Sequence, residues 1–172
     1  MIDFDGLYRH HAPHVWRYVR HLSGDAALAD DITAETFVRV WQTRDRLRHE
    51  TIRAFLFAIA RNLYVSGVRA RWRAAALEDV HADPAPDPET RARVRDDQAR
   101  LERALAALSP ADREPLVLRA IEGLSYEAIG QVMDLLPGTA KVRVHRARRR
   151  LLALMAHEPA TSDSGDANDR DA

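Results

Sequence analysis

Apolar residues recur along much of this chain at three- and four-residue steps, the spacing of one face of a helix. Phe4, Leu7, Tyr8, Val15, Val19 and Leu22 follow it, with Pro13 marking a kink or break. Ser23-Gly24-Asp25 punctuates, and a second helix is predicted from about Ala26 to Gln42. A third begins near Thr51 and carries Ile52, Phe55, Leu56, Ile59 and Leu63 on one face. Together these stripes predict a small helical bundle. Residues 76–89 (ALEDVHADPAPDPE) lose the periodicity and gain three prolines, which predicts an extended linker. The pattern resumes near Arg91 with Leu101, Leu105 and Leu108. Ser109-Pro110-Ala111-Asp112 then reads as a helix start, and Gly123 as the residue that ends that helix. Ser125 caps the next helix, and Ala140, Val144, Ala147 and Leu151 form the buried stripe of the last.

Composition narrows the class. The chain of 172 residues is rich in Ala, Arg and Leu, all helix formers, so the expected fold is all-α. It has no cysteine, which excludes disulfides and thiolate metal sites. No run of 18 apolar residues suggests a membrane span, so a cytoplasmic location is expected. The formal net charge of zero hides a segregation. The tail from His157 to Ala172 holds five acids against Arg170 and is predicted to be disordered; the rest of the chain has 21 acids and 25 bases. Pro137–Arg150 carries six bases and no acid, and local field decides whether a polyanion is attracted.

Three constellations carry candidate chemistry. In the first, Tyr126–Met133, the turn Asp134-Leu135-Leu136 and a helix opening at Pro137 read as a helix-turn-helix. With Ala140, Val144 and Ala147 turned inward, Thr139, Lys141, Val142, Arg143, His145, Arg146 and Arg149 are left to face a DNA groove or its walls. In the second, FLFAIARNLYVSGVRARWR at 55–73 interleaves aromatics with arginines. Such residues can stack on unpaired bases, or the aromatics can be core and the arginines a favourable helix end. Asn62 favours base reading, because an amide can bond a base edge and is poorly suited to a helix interior. In the third, ADDITAETFVRVW at 29–41 has acids on one side and Phe37, Val40 and Trp41 on the other; it suits a protein partner or an ordinary surface helix. His10, His11 and His14 lack the spacing of a metal site, and no cofactor is expected. No phosphate loop, nucleophile elbow or paired catalytic carboxylates point to an enzyme.

In their order and spacing these blocks resemble the bacterial extracytoplasmic-function (ECF) sigma factors, the RNA polymerase sigma subunits with regions 2 and 4. Residues 29–41 are similar to region 2.2, 55–73 to regions 2.3 and 2.4, and 108–151 to region 4. The resemblance implies region 2 at residues 1–74, a flexible linker at 75–92, region 4 at 93–156 and an acidic tail at 157–172. It further implies that Asp31, Ile32, Glu35, Thr36 and Phe37 dock on the clamp coiled coil of the largest polymerase subunit. Asn62, Ser66, Arg69, Arg71 and Arg73 would open and read the −10 element, and the groove-facing set on the last helix, with Arg149 on its wall, would read the −35 element. An anti-sigma factor is the implied inhibitor, and no membrane partner is. Ser66, Pro115 and Leu136-Pro137 depart from the family pattern, which blurs the promoter sequence rather than the class. The competing reading is a free-standing helix-turn-helix regulator.

Overall fold

The computed structural model describes residues 3–43, 52–75 and 94–157, and side chains over 3–43, 52–68 and 98–157. The linker expected at 75–92, except Ala75, and the tail expected at 157–172, except His157, fall in residues 76–93 and 158–172, which lie outside the described residues, as do the side chains of Arg69, Arg71 and Arg73. Seven helices and no strand occur among them: α1 Phe4–Ser23, α2 Ala26–Gln42, α3 Ile52–Ala75, α4 Val94–Ala107, α5 Pro110–Ala120, α6 Tyr126–Met133 and α7 Pro137–His157. None is long and apolar enough to cross a membrane.

Local chemistry explains most boundaries. Asp3 and Asp25 cap α1 and α2 by accepting from Gly6 and Leu28 N–H, both at 3.1 Å. Gly24 ends α1 in the left-handed conformation (φ 72°), and Gly123 follows α5 in the same way (φ 68°). Ser125 caps α6 through the Ala128 N–H at 3.1 Å. Two expectations are corrected. Helix α1 runs through Pro13 without a break: Leu7 and Ala12 before it and Val15, Tyr18, Val19 and Leu22 around and after it are all buried. That burial offsets the roughly 3 kcal/mol that an interior proline costs. Ser109 takes the N-cap position of α5 as expected, but its hydroxyl makes no cap and instead donates to Asp112 Oδ2 at 3.1 Å. The α5 helix also continues through Pro115, which is buried.

Helices α1, α2 and α3 form the first bundle, and α4 to α7 the second. The two blocks read from the sequence as separate modules are packed on each other. Helix α3 lies against α6, and α1 against α4 and α5. One continuous buried cluster extends from Leu7 through Phe57 to Leu118, Ile129 and Ala147.

Candidate nucleic-acid interface

Helix α6, the turn and α7 assemble the helix-turn-helix. Ile129 and Val132 on α6 meet Ala140, Val144 and Ala147 on α7, all buried. Between them Asp134 adopts φ 55° and ψ 54°, the only positive φ among the described non-glycine residues. An aspartate is among the few side chains that accept this conformation readily. Gly130 is required for a different reason: a Cβ there would sit 2.5 Å from the Leu135 carbonyl oxygen, inside the turn itself. Pro137 then starts α7 with its φ already set.

On α7, Thr139, Lys141, Val142, His145, Arg146 and Arg149 are exposed and Arg143 is half-buried. Val142 is 64% exposed, an apolar side chain on a basic face that would suit contact with a thymine methyl. Arg146 differs from its neighbours. Its Nε and Nη2 donate to Asp112 Oδ1 at 3.1 and 2.9 Å, and Arg150 pairs with the other oxygen of the same carboxylate. Asp112 is 1% exposed. Its burial would raise the carboxyl's pKa, but hydrogen bonds from Arg146, Ser109 and Arg150 outweigh this and hold it below the usual range. Arg146 therefore fastens α7 to α5.

In the first bundle, Asn62 and Ser66 are both exposed, one turn apart on α3. On α2 the structure separates the five residues read as a docking set. Asp31 and Glu35 are exposed, whereas Ile32, Thr36 and Phe37 are buried in the chain's own core. Thr36 donates to the Ile32 carbonyl at 2.7 Å, and Phe37 meets the rings of Phe4 and Tyr8 edge-on. These three shape the face from beneath, which corrects their reading as contact residues. The outer face of α2 includes Asp30, Asp31, Ala34, Glu35, Val38 and Arg39, whose Nε donates to Glu35 at 2.8 Å.

The sequence reading missed a set of ion pairs between the bundles. Glu122, 2% exposed, accepts from Arg17 Nε and Nη2 at 2.8 and 3.1 Å and lies 2.9 Å from His14 Nδ1. Its backbone carbonyl accepts from Arg53. Glu114, 8% exposed, accepts from the Tyr18 hydroxyl at 2.8 Å and from Arg61 Nε at 2.7 Å. Arg113 closes the seam by donating to the Leu22 carbonyl at 3.0 Å. Burial, reinforced by Glu114, pushes the Tyr18 hydroxyl well above its ordinary pKa, and the Glu122 hydrogen bond raises the Arg17 guanidinium. The available signal was weak: Glu122 is an isolated acid between Leu116-Val117-Leu118 and Leu124.

Comparison with known proteins gives consistent results. Residues 7–74 match the family Sigma-70 region 2, and residues 98–151 match Sigma-70, region 4. The chain is 38% identical over 170 residues to the ECF RNA polymerase sigma factor SigE of Mycolicibacterium smegmatis, covering 95% of this chain and 66% of that protein. It is 33% identical over 161 residues to the RNA polymerase sigma factor CarQ of Myxococcus xanthus, covering 88% of each. Among solved structures, it is similar to the sigma factor RpoE from Bartonella quintana, in complex with the anti-sigma factor NepR. The TM-score is 0.79 at 29% identity, covering 91% of this chain and 99% of that one. CnrH in complex with the cytosolic domain of CnrY gives 0.68 at 27% identity, over 91% and 89% of the two chains.

Proposed function

Because the chain belongs to the ECF sigma factors, we propose that it divides promoter reading between its two bundles while seated on core RNA polymerase. Residues 1–74 act as region 2, 75–92 as the connecting linker, 93–156 as region 4 and 157–172 as an appended acidic tail. The exposed face of α2, through Asp31 and Glu35 with Ala34 and Val38 beside them, docks on the clamp coiled coil of the largest polymerase subunit. Asn62 and Ser66, with Arg69, Arg71 and Arg73 further along α3, capture the −10 element. Flipping out a base costs a few kcal/mol, which amide bonding and arginine contacts to the strand offset.

Helix α7 enters the major groove at the −35 element. Thr139, Lys141, Val142 and Arg143 meet base edges, while His145 and Arg149 meet the groove walls. Arg146 sets the tilt of α7 through Asp112 and presents its remaining edge to a phosphate. RpoE is solved in complex with the anti-sigma factor NepR, and CnrH with the cytosolic domain of CnrY; this chain is regulated in kind by an anti-sigma factor.

The observation that carries the reading is the coincidence, on one helix, of a buried Ala140-Val144-Ala147 stripe with an acid-free basic face behind an αL turn. The test is reconstitution of the chain with core polymerase on a library of random promoters. Co-elution with core and initiation from a shared sequence motif support it. A chain that binds duplex DNA alone and ignores core would instead be a free-standing regulator.

A further inference from the structure

Three arginines of the first bundle are engaged by two glutamates of the second, Arg17 and Arg61 through the carboxylates and Arg53 through the Glu122 backbone carbonyl. Arg17 presents Nε and Nη2 side by side to the two oxygens of Glu122, a fork that fits a phosphodiester as well as it fits a carboxylate. Arg53 reaches the Glu122 carbonyl and approaches its carboxylate at 3.9 Å, and Arg61 donates to Glu114 at 2.7 Å. All three keep part of their side chain in solvent, while both glutamates are buried. Arg53 and Arg61 lie two turns apart on α3, about 12 Å along the axis. Arg61 adjoins Asn62 on the helix assigned to the −10 element.

This packed arrangement cannot read both promoter elements at once. Sites centred roughly 25 base pairs apart lie roughly 85 Å apart at about 3.4 Å per step. Here α3 packs directly on α6, and packed helices have axes about 8–10 Å apart. Reading a promoter therefore requires the seam to part, and parting it leaves three guanidinium groups without their acceptors, Arg61 among them next to Asn62.

We infer that Arg17, Arg53 and Arg61 form a phosphate-binding track for the promoter strand opened at the −10 element, and that Glu114 and Glu122 occupy this track as phosphate mimics while the bundles are closed. The inference rests on the proposed promoter function. It adds to it a set of backbone contacts outside the region 2.4 residues and a direct competition between closure and DNA. DNA is favoured over an acidic protein because the groups are fork-shaped and cationic, and Arg61 adjoins the base-reading amide of Asn62 on α3.

The test uses the full chain, free and in holoenzyme, with a short oligodeoxythymidylate as a sequence-neutral probe. In the free chain, Glu114→Gln combined with Glu122→Gln is expected to enlarge the radius of gyration and to tighten oligonucleotide binding about tenfold. Adding Arg17→Ala, Arg53→Ala and Arg61→Ala should abolish that gain. In holoenzyme with the glutamates intact, the three arginine substitutions alone should weaken binding to opened promoter DNA. Each should also lower the slope of log affinity against log salt by about 0.7. Residues that only latch the bundles would leave that slope unchanged, which overturns the inference. So would a glutamine pair that leaves the chain compact, or one that expands it with no gain in binding. Loss of polymerase co-elution in the arginine variants, with DNA binding intact, assigns the track to a protein partner and also overturns it. Wild-type holoenzyme that starts no transcripts counts against the promoter function itself, so the two failures are separable.

Discussion

Asp112 and Gly130 show how single residues hold the reading helix. Asp112 is buried and gathers Arg146, Arg150 and the Ser109 hydroxyl onto one carboxylate, tying α7 to α5. Its pKa is depressed, so its stabilising contribution is present above the ordinary value near 3.8 and is lost as pH falls below it. Asp112→Asn should lower stability by about 1–3 kcal/mol, because the arginines lose a charged acceptor and the amide turns a donor toward them. Urea denaturation checks this: the midpoint should fall with an unchanged m-value, and an unmoved midpoint would show that the contact contributes nothing. Gly130→Ala acts on the backbone, since its methyl would sit 2.5 Å from the Leu135 carbonyl oxygen. The turn must shift to accept it, at a cost of about 1–3 kcal/mol. The variant should melt earlier and bind −35 duplex more weakly, and a melting temperature equal to wild type would contradict the geometry.

At the scale of elements, α7 joins a buried stripe to a basic face, and the two can be perturbed separately. Lys141→Ala and Arg143→Ala should each weaken −35 duplex binding, by about 1–3 kcal/mol where the lost contact is to a base edge. Arg149→Ala should weaken binding to all duplexes alike and reduce the salt slope by about 0.9, as loss of one phosphate contact does. Electrophoretic titration at two salt concentrations distinguishes them, and equal effects on specific and random duplex in all three would remove α7 from base reading. Much of this element was legible in sequence because its determinants are local: Ser125, Asp134, Pro137 and the 140-144-147 spacing each act within a turn or two. The course of α1 through Pro13 was not, because propensity marks a break there and only tertiary burial of Val15, Tyr18 and Val19 overrides it. On α2 the buried positions 29, 32, 33, 36, 37 and 40 keep strict helical spacing, so the inward turn of Ile32, Thr36 and Phe37 was available from periodicity. The region 2.2 motif identifies the helix without saying which of its residues face outward.

Closure of the two bundles belongs to the whole molecule, and it was hidden in the sequence because its partners are remote. Glu122 meets residues more than a hundred positions upstream, and a lone glutamate carries no mark of such a partner. The same packing gives the chain a pH dependence. His11 on α1 is partly buried and faces His10, His14 and, from α3, Arg53. Burial first, and then these positive neighbours, lower its pKa from 6.5 to about 4. His21, farther along α1, is lowered in the same direction, again mainly by burial. A histidine that resists protonation when folded but accepts a proton near pH 6.5 when unfolded makes the unfolded state the greater proton binder between those values. Stability from these residues is therefore fully present above about pH 6.5 and drains away as pH falls toward about 4. Asp112 adds its own loss only below its ordinary value near 3.8, outside that window. Urea midpoints measured from pH 7 to pH 4.5 should fall steadily for the wild-type chain and more gently for His11→Gln, which keeps a polar side chain but cannot take the proton. A wild-type midpoint that holds level or rises on acidification would mean that His11 is no more enclosed in the folded chain than in the unfolded one, and the packing of α1 against α3 around it would have to be redrawn.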